Sequence, residues 1–166
     1  SMINKEFVKS SVVELKKERT EIVWELEDLL RFYRRSHLRE IKDFRFNSSD
    51  QKIHLMLDTM KFMQVINNLI SNAIKFTPKN GVIDLSVKDN GASVVVSVAD
   101  NGIGIPDEEK PKIFNKFYRV GSEETRKTKG TGLGLFIVKQ VLDNHQAQIK
   151  VKNNQPKGTV FEVSFN

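Results

Sequence analysis

Asn68, Asn72 and Lys75 are spaced by four and by three residues. On a helix those intervals put all three side chains on one face. An amide oxygen is a hard, neutral ligand suited to Mg²⁺, and an ammonium can meet a phosphate. An ordinary polar helix face would look the same, so this trio decides nothing alone. A second group is Asp100-Asn101-Gly102-Ile103-Gly104-Ile105-Pro106. A carboxylate at a strand end can accept a hydrogen bond from an exocyclic amine such as that of adenine. Glycines let the backbone come close to a ligand, although the same residues also build a simple tight turn. Third, Ile113-Phe114-Asn115-Lys116-Phe117-Tyr118-Arg119 sets two phenylalanines three apart. Core packing on one helical face accounts for them. Arg119 opens a charged stretch and could reach a terminal phosphate. Fourth comes Gly130-Thr131-Gly132-Leu133-Gly134-Leu135. Amides at a helix N-terminus, with glycine in place of side chains, suit a phosphate. A glycine run of this kind also occurs in dinucleotide folds. Here no strand precedes it and no parallel βαβ unit surrounds it.

These groups need elements to hold them. Residues 2–17 carry Ile3, Phe7, Val8, Val12 and Leu15 at roughly helical spacing. Residues 19–23 read as a short strand. Residues 24–41 read as an amphipathic helix, with Leu26, Leu29, Leu30 and Tyr33 on its apolar side. Residues 44–47 and 52–57 read as strands joined by the turn Asn47-Ser48-Ser49-Asp50. The strongest helix is 59–75, stopped by Thr77-Pro78. Residues 82–87 and 94–99 predict a hairpin around Asp89-Asn90-Gly91. A short helix over 107–117 follows Pro106. Residues 120–129 are charged and lack a hydrophobic period, which predicts a mobile loop. A buried helix over 133–144 and a last hairpin, 148–152 with 159–165, complete the chain. The sum is an α+β protein: a two-layer sandwich with a mixed, mostly antiparallel sheet and helices on one face.

Composition narrows the function classes. The 166 residues are 39% hydrophobic and 29% charged, as in an ordinary globular domain. The absence of cysteine excludes disulfides, thiolate catalysis and cysteine-based zinc sites. No apolar run approaches the length of a membrane span. The formal charge of +6 is dispersed, and no basic face is interleaved with stacking aromatics. A nucleic-acid partner is therefore not expected.

In order and spacing the four groups resemble the boxes of sensor histidine kinases. Asp58 to Pro78, with Asn68, Asn72, Lys75 and Phe76, resembles their asparagine box. Asp100 to Pro106 resembles the first glycine box, Phe114 to Arg119 the phenylalanine box, and Gly130 to Leu135 the second glycine box. The resemblance runs from about Arg19 to the C-terminus and implies the Bergerat sandwich. It also implies ATP and Mg²⁺ as cofactors. Asn72 would hold Mg²⁺, Asn68 would support that site, and Lys75 would meet a phosphate. Phe76 and Ile105 would lie beside the adenine region, Asp100 would take its amino group, and Gly102 and Gly104 would allow close approach. Tyr118 and Arg119 would border the nucleotide, with Arg119 contacting the γ-phosphate. Residues 120–129 would form a lid hinged by Gly130, Gly132 and Gly134, with Thr131 and Leu133 beside the phosphates. The catalytic set would be Asn68, Lys75 and Arg119.

Hydrolysing relatives of this fold carry a glutamate four residues before the magnesium asparagine, as general base on water. Here that position is Asn68, whose amide takes no proton at neutral pH. Transfer to an imidazole is thereby favoured over hydrolysis. A hydrolysing ATPase and a nucleotide-binding regulatory module are the competing readings. The acceptor-histidine box itself is missing. His37 sits too close to Asn68, and His54 reads as a plain strand residue. His145 falls where the family often has His-Gly-Gly, but Gln146-Ala147 replace the glycines. Residues 1–18 then resemble the tail of a dimerisation and histidine-phosphotransfer helix, and residues 19–166 the catalytic domain. The partners implied are that missing domain and, indirectly, a response regulator. The fragment is expected to be monomeric and cytoplasmic, and not to phosphorylate itself.

Overall fold

A computed structural model describes residues 14–36, 41–118 and 133–166. Among them the chain runs β1 (Glu18–Glu21), α1 (Ile22–Ser36), β2 (Ile41–Ser48), β3 (His54–Leu57), α2 (Thr59–Phe76), β4 (Gly81–Asp89) and β5 (Val94–Asp100). A 3-10 turn at Lys110–Lys112, α3 (Gly134–Asn144), β6 (Gln148–Asn153) and β7 (Thr159–Phe165) follow. Five strands form one sheet in the order β2-β4-β5-β7-β6. Only the β2–β4 pair is parallel. The expected mixed, mostly antiparallel sandwich is what forms.

Alternation along the strands explains the layers. Ile83, Leu85 and Val87, then Val94, Val96 and Val98, then Phe161, Val163 and Phe165 are buried, while their sequence neighbours are less so. The helices cover that apolar face. α2 contributes Phe62, Val65, Ile66, Leu69, Ile70 and Ala73 to the same cluster, and α3 contributes Val138, Val141 and Leu142. α1 adds Ile22, Val23, Leu26, Leu30 and Tyr33. Each large apolar side chain fully withdrawn from water contributes about 1.5–3 kcal/mol.

Helix α2 has well-defined ends. Asp58 caps it: its backbone is extended and its carboxylate accepts from the Lys61 amide at 3.1 Å. At the other end Thr77 is extended because Pro78 follows, and the helix stops at Phe76. Asp58 also ties distant parts together. Its carboxylate accepts from the Lys16 amide at 3.0 Å, and its own amide donates to His145 Nε2 at 3.1 Å. His145 Nδ1 lies 2.9 Å from the Val141 carbonyl, so that nitrogen carries the ring proton. Gln146, standing where the sequence pattern suggested glycine, takes φ 56°.

Local expectations are corrected at three places, and the pairing of two expected strands is settled. The strand expected over 19–23 spans Glu18–Glu21, and the helix begins at Ile22 rather than Trp24. The Glu21 carboxylate accepts from the amides of Val23 at 2.6 Å and Trp24 at 3.2 Å, satisfying first-turn donors and turning the chain early. That helix is described to Ser36, and Ile41 already belongs to a strand. The strands around Asn47–Asp50 do not pair with each other: β2 runs beside β4, and β3 joins β1 in a separate two-stranded sheet. No helix spans 107–117. Pro111 has no amide to donate to the Asp107 carbonyl, and only the 3-10 turn forms. Phe114 and Phe117 consequently do not share a helical face. Phe114 packs against the core, whereas Phe117 is exposed with φ 64°.

Candidate functional site

The asparagine-bearing helix and the first glycine loop meet at Phe76. The Ile103 amide donates to the Phe76 carbonyl at 3.2 Å. A Cβ on Gly102 would collide with that same carbonyl oxygen. The close approach that requires glycine at 102 is therefore of backbone to backbone. Gly104 takes φ 79°, a conformation glycine adopts freely. Ile105 beyond it is buried.

Asp100 ends β5 and is 4% exposed. Its Oδ1 accepts from the amides of Gly102 at 2.9 Å and Thr159 at 3.3 Å. Oδ2 accepts no hydrogen bond among the described residues. Burial pushes the Asp100 carboxyl above its ordinary value, against the opposing pull of those two amides. A buried carboxylate oxygen with spare acceptor capacity suits a planar amine donor. Backbone contacts fix the base of this turn. The Asn154 side chain donates to the Asp100 carbonyl at 2.8 Å, and the Asn101 side chain accepts from the Val82 amide at 2.8 Å. Gly158, at φ 108°, leans so closely on the Asp100 carbonyl that any Cβ would collide with it.

On α2, Asn68 and Asn72 are half-buried and Lys75 is exposed. Asn68 Nδ2 donates to the Gly134 carbonyl at 3.4 Å, which joins the asparagine helix to the start of α3. Asn72 and Lys75 find no hydrogen-bond partner among the described residues. At the N-terminus of α3, Leu133 occupies the cap position and no side chain among the described residues caps it. A Cβ at Gly134 would meet nothing within 4 Å. Among the described residues no side chain takes the first-turn amides of α3, an arrangement that suits an anion. Tyr118 is half-buried and its hydroxyl is given to Glu109 at 2.5 Å. That hydrogen bond, with burial and the nearby acidic charge, raises the phenol to about 12.

Of the residues singled out from the sequence, contacts join Phe76, Gly102 and Asp100 at one end of α2, and Asn68 with Gly134 two turns earlier on the same helix; Gly104 and Ile105 follow in the loop after Gly102, and Leu133 precedes Gly134. Asn72 and Lys75 lie between those two places along α2. Arg119, Gly130, Thr131, Gly132, the lid stretch 120–129 and His37 lie outside the described residues. Sequence reasoning missed the supports: Thr159, Asn154 and Gly158 hold Asp100 from 54 to 59 residues away. The only local signal was the glycine after Pro156-Lys157, which reads as a turn and nothing more.

Among the described residues no group of three His, Cys, Asp or Glu could hold a metal. The Asn72 side chain offers one neutral amide oxygen, so a Mg²⁺ ion there would need further oxygens from a bound phosphate. No helix among the described residues is long and apolar enough to cross a membrane.

Comparison with known proteins follows the same outline. The family of histidine kinase-, DNA gyrase B-, and HSP90-like ATPases matches residues 57–166. The chain is 42% identical over 124 residues to the sensor protein CiaH of Streptococcus pneumoniae, covering 74% of this chain and 27% of CiaH. It is 40% identical over 125 residues to the sensor histidine kinase WalK of Bacillus subtilis, covering 74% of this chain and 20% of WalK. The chain thus spans about a quarter of these relatives' length. Among solved structures, the catalytic domain of histidine kinase ThkA superposes with a TM-score of 0.74 at 30% identity, covering 90% of this chain and 95% of that one. ThkA is also known in complex with the response regulator protein TrrA; that ThkA chain is 27% identical, with a TM-score of 0.72 over 99% of this chain and 46% of its own.

Proposed function

The chain belongs to the family of histidine kinase-, DNA gyrase B- and HSP90-like ATPases, and on that premise we propose that residues 19–166 are the ATP-binding catalytic domain of a sensor histidine kinase. The domain binds Mg-ATP and delivers the γ-phosphoryl to a histidine on a separate dimerisation domain. The observation that carries this is Asp100, a buried carboxylate at the end of β5 whose Oδ2 meets no hydrogen-bond donor among the described residues.

In this reading Asp100 takes the adenine amino group, and Ile105 and Phe76 flank the base. Gly102 and Gly104 give the loop its shape. Leu133 and Gly134, with Gly130, Thr131 and Gly132 before them, offer backbone amides to the phosphates. Lys75 meets a phosphate and Asn72 holds Mg²⁺. The metal ion would supply charge neutralisation at the phosphates. Tyr118 borders the nucleotide with its hydroxyl held by Glu109, and Arg119 is assigned to the γ-phosphate. Asn68 supports Asn72. As an amide it cannot take a proton from water, which favours transfer to an imidazole over hydrolysis. Positioning and charge neutralisation supply most of the rate.

The nucleophile's domain precedes this one, reached through residues 1–18, and a response regulator receives the phosphoryl group next, as the ThkA–TrrA complex suggests. The catalytic domain works in the cytoplasm, where ATP is available.

The test is calorimetric titration with a non-hydrolysable ATP analogue, with and without Mg²⁺, on wild type and Asn72→Ala. We expect Mg²⁺-dependent binding by wild type, with the Mg²⁺ dependence lost in the variant. A wild type that binds no analogue under either condition refutes the reading.

A further inference from the structure

Lys110 is the one lysine among the described residues whose ammonium is engaged at three oxygens, two from the loop before it and one from the end of β6. Nζ donates to the Ile105 carbonyl at 2.8 Å, to Asp107 Oδ1 at 2.5 Å and to Asn153 Oδ1 at 2.7 Å. An ammonium has three donors, so the set is complete. The side chain is only 14% exposed, although Asp107 is 81% exposed. Asn153 Nδ2 closes the group by pointing to Asp107 Oδ1 at 3.4 Å.

An exposed i,i+3 ion pair would contribute little. This arrangement differs because one acceptor is a backbone carbonyl of the Asp100–Pro106 loop and another sits at the end of β6. The loop is already pinned at its near end by Phe76 and Asp100. Lys110 pins the far end, at Ile105, to the outermost strand of the sheet. The Lys110 ammonium, with no intervening helix to hold 107–117, takes the place of regular secondary structure in fixing that carbonyl.

We propose that Lys110 is a positioning residue for the adenine base: by holding the Ile105 carbonyl against Asn153 it fixes the wall on which the base rests. The proposal rests on the nucleotide-binding reading above and adds a specific division of labour. Lys110 acts on the base and not on the phosphates.

The experiment compares wild type, Lys110→Met and Lys110→Arg. Binding of adenosine, ADP and inorganic triphosphate is titrated, and hydrogen exchange is followed at the amides of residues 102–105 without ligand. Lys110→Met is expected to weaken adenosine and ADP by the same factor, about tenfold, the effect of losing one well-placed charged hydrogen bond. Triphosphate binding stays within about twofold, the loop amides exchange faster, and Lys110→Arg recovers most of both effects because it keeps donors for the same oxygens. Unchanged adenosine and ADP binding in Lys110→Met overturns the proposal, as does an arginine variant as impaired as the methionine one. If Lys110→Met fails to fold, Asn153→Ala removes the side-chain contacts to Lys110 and Asp107 at an exposed strand end. It should weaken adenosine about threefold, and an unchanged affinity overturns the proposal. A wild type that binds no adenosine or ADP sinks the parent reading and this one together, whereas a wild type that binds with a variant that binds equally well sinks this one alone.

Discussion

Replacing Asp100 by asparagine should separate binding from stability. The substitution keeps Oδ1, so the amides of Gly102 and Thr159 keep their acceptor. The second position changes from a carboxylate oxygen to an NH₂ group, which faces the adenine amine donor to donor. A hydrogen bond to a charged group contributes about 1.5–3 kcal/mol, which converts to roughly 10- to 150-fold in affinity. Stability should move the other way. Burial raises the folded-state value of the Asp100 carboxyl above 3.8. An acid raised on folding binds more protons in the native than in the unfolded state across that window. Stability therefore falls as pH rises from 3.8 through the folded-state value, and the cost is fully present above it. Asparagine carries no such cost. At pH 7 the variant should melt no lower than wild type and up to about 3 °C higher, the scale of a 1 kcal/mol gain in a chain of this size. Its advantage should shrink as pH drops toward the ordinary carboxylate range. Calorimetric titration with an ATP analogue and thermal melts from acid to neutral pH supply both readings. A variant that binds within threefold of wild type, or that melts several degrees lower at neutral pH, would refute the argument.

Gly158→Ala places a Cβ against the Asp100 carbonyl at a φ of 108°. A loss of about 2–4 kcal/mol in denaturant unfolding is expected, with weakened nucleotide binding in whatever remains folded. A stable variant with normal binding would show that the β6–β7 turn does not support the site. Gln146→Gly relieves a positive φ of 56° after α3. It should stabilise by about 0.5–1 kcal/mol in the same assay, the left-handed penalty less glycine's unfolded-state entropy. Unaltered or reduced stability would contradict that sum.

Much of this architecture was legible in local periodicity. The helix ending at Phe76 announces itself through Phe62, Val65, Ile66, Leu69 and Ile70 on one face and Thr77-Pro78 behind it. The hairpin of β4 and β5 follows from alternation around Asp89-Asn90-Gly91, and both signals are local. Failures occurred where a local pattern had more than one partner available. Residues 44–57 read correctly as two strands, but alternation says nothing about which neighbour each will join. The Asp107–Phe117 stretch has a helical spread of apolar residues, and the single proline at 111 overrides it.

The same division runs through the site. Residue types and spacing alone marked Asn68, Asn72, Lys75, Asp100 and the glycines, because ligand chemistry restricts which side chains can serve and helix and turn geometry restrict their intervals. What holds Asp100 in place was not legible. Thr159, Asn154 and Gly158 reach it across the sheet, and Lys110 with Asn153 braces the loop from the side. Those contacts join residues tens of positions apart, and no local rule encodes them. They exist because strand pairing sets β5 beside β7 and β7 beside β6, and only that register brings their ends together.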